Sequence, residues 1–150
     1  METASNTQTK SKTLPKPNNI ITVPYSYDNI EFYRWWCKLL NPFISLTGKE
    51  MDVVAHFLLQ RHELSKCTSD PTILDTMVMS GNTKAKVMEE CNITKKHLYV
   101  IMSTLRKRNV IVGNVINPRL IPNNREEDNG IFQLLILFSE DTKAWPTKKS

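Results

Sequence analysis

The stretch CNITKKHLYVIMSTLRKRNVI, residues 91–111, decides how this chain reads. Thr94 stands at a helix-capping position, and Leu98, Ile101, Met102 and Leu105 follow at the intervals of one helical face. Ile93 is placed to staple onto Leu98, and Asn109 suits the helix exit. The other face gathers Lys95, Lys96, Tyr99, Val100, Ser103, Arg106 and Lys107. Just upstream, Asn92-Ile93 supplies a short turn after a helix over 84–91, with Thr83 as its expected cap. The spacing predicts helix, tight turn, helix.

Working backwards, Leu46-Thr47-Gly48-Lys49-Glu50-Met51 is a helix start. Thr47 caps, Glu50 reaches back, and Leu46 staples to Met51. Met51, Val54, Ala55, Leu58 and Leu59 then form a 3.6-residue stripe. Asp52 reads as a partner for the helix dipole. His56 and His62 flank the stripe without evident ligands at helical spacing, which predicts solvent-facing or core-edge histidines. Asp70-Pro71 opens a short helix over 72–79, which stops at Ser80-Gly81-Asn82.

Further upstream lies an aromatic helix, residues 25–45. Asp28 and Glu31 have capping-box spacing, and Ile30, Tyr33, Cys37 and Leu40 follow at helical intervals with Trp36 beside them. Phe32 and Trp35 fall off that stripe. Two readings stand: the helix packs between the core and the preceding segment, or Phe32, Trp35 and Trp36 form an adhesive surface for a partner. Residues 1–24 read as an extended or disordered arm, because up to position 19 only Leu14 is a large apolar residue beyond Met1.

Beyond Asn109 the pattern changes to strands. Residues 110–116 read as one strand with a bulge or bend at Gly113-Asn114, resumed at 120–121 after Asn117-Pro118. The polar run 122–130 leads to an apolar strand, IFQLLILF, over 131–138, and residues 139–150 form a polar tail. The expected class is mainly α with a small β hairpin (α+β), with residues 46–138 as one domain.

Composition bounds the function. The chain has 150 residues, 40% of them hydrophobic, and a net charge of +5. The charge is uneven: residues 84–119 hold eight Lys/Arg against two Glu, while 120–141 sum to −4. A basic patch of this kind admits a polyanion or an acidic protein surface. No apolar run is long enough for a membrane span, and the first residues lack the apolar core of a secretory signal. Cys37, Cys67 and Cys91 have unrelated spacings and read as buried free thiols. With no glycine-rich phosphate loop and no His-Cys or carboxylate pair at a suggestive spacing, no enzyme, cofactor or metal is expected.

Taken together, Val87, Cys91, Ile93, Leu98 and Leu105 resemble the packing positions of the winged helix-turn-helix superfamily, with 50–64 as the floor helix and the strands as the wing. Asn41-Pro42-Phe43, Leu46-Thr47, Lys49-Glu50 and Ile116-Asn117-Pro118 also resemble small winged-helix proteins of tailed bacteriophages, especially the crAss-like phages of Bacteroidetes. That resemblance implies a structural role in the virion, in a tail or connector ring assembled in the host cytoplasm, with other copies and other virion proteins as partners. Ile116-Asn117-Pro118 is similar to plasmid replication initiators too, which leaves a DNA-binding regulator or replication protein as the alternative.

The residues favour assembly. A DNA-reading helix places its exposed side chains in the major groove. Here Tyr99 and Val100 hold the centre of that face, where Arg, Asn or Gln would make bidentate base contacts. The expected wing tip carries Glu126, Glu127 and Asp128 against Arg125, and phosphate repels such charge. The same acids could meet the Lys95-Lys96 or Arg106-Lys107-Arg108 cations of a neighbouring copy.

Overall fold

The structure is a computed structural model that describes residues 26–122. Among the described residues it holds five helices and one two-stranded hairpin: α1 (Ile30–Ile44), α2 (Gly48–Ser65), α3 (Pro71–Val78), α4 (Gly81–Cys91), α5 (Lys95–Lys107), β1 (Ile111–Val112) and β2 (Val115–Ile116). A 3-10 turn, Pro118–Leu120, follows. This is the mainly helical α+β class. The expected arm, the acidic run, the strand 131–138 and the tail lie outside the described residues.

Local chemistry sets the helix ends. At α2 the Thr47 hydroxyl accepts from Glu50 N while Glu50 accepts from Thr47 N, so both halves of the capping box form. Asp70 caps α3 ahead of Pro71, and Thr94 caps α5. Two starts differ from expectation. Asn29, not Asp28, caps α1, and Asp28 instead meets Lys66 and His62 at the end of α2. Ser80, not Thr83, caps α4, so Gly81 and Asn82 are helical. The Thr83 hydroxyl donates to Met77 O at 2.8 Å, which ties α4 to the end of α3 and leaves the cap to Ser80.

Helix α2 is the centre of the molecule, contacting α1, α3 and α4. Its run from Val53 to Leu58 is buried on every side, so it is more than an amphipathic floor. Tyr33, Phe57, Val78, Val87, Leu98 and Leu105 are among the most enclosed side chains of a single core cluster. From α1 that cluster takes Phe32, Tyr33, Trp36, Cys37 and Ile44. Of the expected aromatic surface, Phe32 and Trp36 are therefore core residues, and Trp35 alone is exposed. The physical reason is that α1 lies along α2, and its Trp36 reaches the far end of the described chain, where Nε1 donates to Leu120 O at 2.7 Å.

The strand expected over 110–116 turns back on itself. Ile111 pairs with Ile116 and Val112 with Val115, antiparallel, around Gly113-Asn114. Gly113 has φ +65, the left-handed backbone that a two-residue hairpin with glycine in first position requires. Asn117 N donates to Val110 O and its side-chain amide to Asn109 O, closing the base. Residues 118–121 form the 3-10 turn and its exit rather than resuming the strand. The tip of this hairpin is thus uncharged, and the acidic run 126–128 is not that tip.

Candidate functional site

Two places on the described surface and core gather chemistry. The first is the outer face of α5. Leu98, Ile101, Met102 and Leu105 are buried, which fixes the rotation of the helix. Lys95, Lys96, Tyr99, Val100, Ser103, Arg106 and Lys107 are all exposed on the other side, as the sequence spacing predicts. Tyr99 and Val100 keep 58% and 59% of their surface in solvent, the largest exposures among large apolar side chains in the described residues. Lys95 Nζ lies 5.9 Å from the Tyr99 ring centre, within cation–π range. No acidic residue occurs on α5. Its first turn faces outward with two lysines, and its last turn carries Arg106 and Lys107. The face is therefore a cationic rim around an aromatic and aliphatic centre.

The second place escapes a reading of the sequence alone. His56 is buried, not solvent-facing, and stands beside Asp52 of the preceding turn and Cys91 at the end of α4. His56 Nδ1 lies 2.8 Å from Asp52 O, 3.3 Å from Cys91 Sγ and 3.6 Å from Asp52 Oδ1. A carbonyl oxygen only accepts, so Nδ1 carries the proton in this arrangement. Arg34 of α1 donates Nε to Asp52 Oδ1 at 3.0 Å, so Asp52 is an ion-pair partner rather than only a charge near the helix start. Lys49 Nζ donates to Cys91 O at 3.1 Å. The signal in the sequence for two of the three residues is the four-residue spacing of Asp52 and His56. Cys91 comes from another helix.

A Cys–His contact raises the question of nucleophilic chemistry. A reactive thiol needs access and a lowered pKa. Cys91 is buried, and desolvation, helped by the nearby Asp52 carboxylate, pushes its thiol up to about 12. The arrangement is a poor nucleophile. Cys37 is also buried, while Cys67 is exposed, which corrects the expectation that all three thiols are enclosed.

Compared with known proteins, the chain matches no family model, no curated protein and no solved structure. No helix among the described residues is long and apolar enough to cross a membrane.

Proposed function

We propose that this protein is a non-enzymatic assembly module of a tailed-phage virion, built on a winged helix-turn-helix and docking through the outer face of α5. The observation that carries the reading is the exposure of Tyr99 and Val100, adjacent and more than half in solvent, at the centre of a cationic rim. Interfaces between proteins have this composition: an apolar, aromatic centre with charge at the edge. The short turn at 92–94 between α4 and α5, with the hairpin next in sequence, supports the winged-helix reading. The acidic run 126–128 supplies complementary charge for a neighbouring copy.

The decisive experiment is mass spectrometry of purified particles from the source. A fixed copy number per particle is expected; absence from particles overturns the virion role. In solution, Tyr99→Ala with Val100→Ala is expected to weaken association between copies or with virion partners about 30-fold or more, the effect of removing one interface anchor. Light scattering against concentration reads it. Unchanged association after both substitutions removes this face from the interface.

A second reading is favoured by one specific observation: α5 presents only cations among its charged residues. A DNA-binding role predicts that Lys96→Ala with Lys107→Ala lowers the salt slope of DNA affinity by about 0.9 for each phosphate that the lysines neutralise. A slope that stays unchanged, or DNA affinity too weak to titrate, counts against it.

A further inference from the structure

We infer that Asp52, His56 and Cys91 form a binding site for one divalent zinc-like ion, which joins α2 to the end of α4. The ligand atoms of the three residues all lie within 4.8 Å of one another. A tetrahedral ion with bonds of about 2.3 Å to sulfur and about 2.1 Å to nitrogen and oxygen holds S and N about 3.6 Å apart, and N and O about 3.4 Å apart. The observed separations from His56 Nδ1 are 3.3 Å to Cys91 Sγ and 3.6 Å to Asp52 Oδ1. The protein thus already sets these separations at nearly the spacing an ion requires, with two of the three residues buried.

The donor set selects the ion. One thiolate, one imidazole and one carboxylate suit zinc among the available divalent cations and are poor for magnesium or calcium, which take oxygen ligands. The surroundings supply the outer support such sites use. Arg34 Nε donates to Asp52 Oδ1 at 3.0 Å and so orients the carboxylate whose Oδ1 faces His56, and Lys49 anchors the Cys91 backbone. Asp52 also lines a cleft of about 330 Å³ with Arg34, Lys38, Lys49 and Met51, so this ligand is partly open to solvent. Three protein ligands leave one position for water or the second Asp52 oxygen.

Binding has a defined proton balance. The ion replaces the Cys91 thiol proton, which leaves to solvent. The imidazole stays neutral: its proton moves from Nδ1, where it is bonded to Asp52 O, to Nε2, and Nδ1 becomes the ligand. Thiolate and carboxylate together neutralise the ion, so the nearby Arg34 and Lys49 cations face no net positive charge.

The test uses the reduced full-length chain and cobalt(II) alone as the probe, followed by competition with zinc. One equivalent is expected to give tetrahedral visible bands with a thiolate-to-cobalt charge-transfer band, all displaced by zinc. Zinc at a hundredfold excess over its dissociation constant is expected to raise the Tm by ~10 °C. The spectrum should vanish in Cys91→Ser and in His56→Gln, each checked for its fold by circular dichroism, and persist in Cys67→Ser. If the wild-type chain gives no thiolate band, or if the band survives Cys91→Ser or disappears with Cys67→Ser, the inference is overturned. The wild-type titration decides the matter even if a variant fails to fold.

Discussion

Replacing Trp36 by alanine is expected to lower the unfolding free energy by about 3–5 kcal/mol. That is a large share of the roughly 5–15 kcal/mol typical of a domain, so the urea midpoint should fall steeply. Trp36 is buried in the core, and its indole N–H meets the Leu120 carbonyl from 84 residues away. One side chain therefore joins the first described helix to the turn after the hairpin. The two contributions can be separated. Trp36→Phe keeps most of the apolar volume but withdraws the donor from a buried carbonyl, at a cost of about 1–3 kcal/mol. A phenylalanine variant as stable as wild type would show that the hydrogen bond contributes nothing, and an alanine variant within about 1 kcal/mol of wild type would remove Trp36 from the core altogether.

The fate of Trp36 also shows what is legible in the chain and what is not. Helix starts are legible because a cap is a contact within three residues: Thr47 with Glu50, Asp70 before Pro71, Thr94 before the Leu98 stripe. The start at Ser80-Gly81-Asn82-Thr83 misleads because two capping residues stand three apart. Only the contact of Thr83 with Met77 decides between them. Strand periodicity fails over 110–116 for a similar reason. Alternation continues through a Gly-Asn pair whether the pair bulges or reverses the chain, and Gly113 reverses it. The burial of Phe32 and Trp36 depends on what lies over α1, and helical spacing within α1 does not contain it.

The same division runs through the two sites. The α5 face follows from periodicity, since four buried positions leave the others outward, and all seven residues assigned to it are exposed. The Asp52–His56–Cys91 cluster does not follow, because its third member is 35 residues from His56 and arrives only through the packing of α4 on α2. Asp52 and His56 alone are a common i, i+4 pair. What makes them chemically particular is a buried thiol at the end of the helix that leads into the turn before α5.

Alkaline conditions are expected to destabilise the fold from about pH 9 upward, through buried thiols and a buried phenol. Cys37 is almost fully enclosed, and burial, with the Asp52 carboxylate as a smaller cause, pushes its thiol from 9.0 up to about 12. Tyr33, one turn earlier on the same buried face, has its phenol raised above its usual 10.0, first by burial and then by Tyr27, Asp28 and Glu63. Both groups are neutral when protonated. The unfolded chain therefore releases these protons at lower pH than the folded one. Their stabilising contribution is complete below about pH 9, falls as pH rises through the folded values, and has this sign because the unfolded state binds fewer protons in that window. The Cys91 thiol, also pushed up to about 12, adds to that of Cys37, so the slope approaches about 2.7 kcal/mol per pH unit between the unfolded thiol value and about pH 10, and about 4.1 above it, where the phenol joins. Urea midpoints at about pH 8, 9.5 and 10.5 read the effect. Cys37→Ala should reduce stability at neutral pH yet make the first part of the curve about half as steep, because Cys91 still titrates there, while Tyr33→Phe should lessen only the second. A stability profile that stays level across the whole range, or one that Cys37→Ala leaves equally steep below about pH 10, would place the alkaline sensitivity elsewhere than in these buried groups.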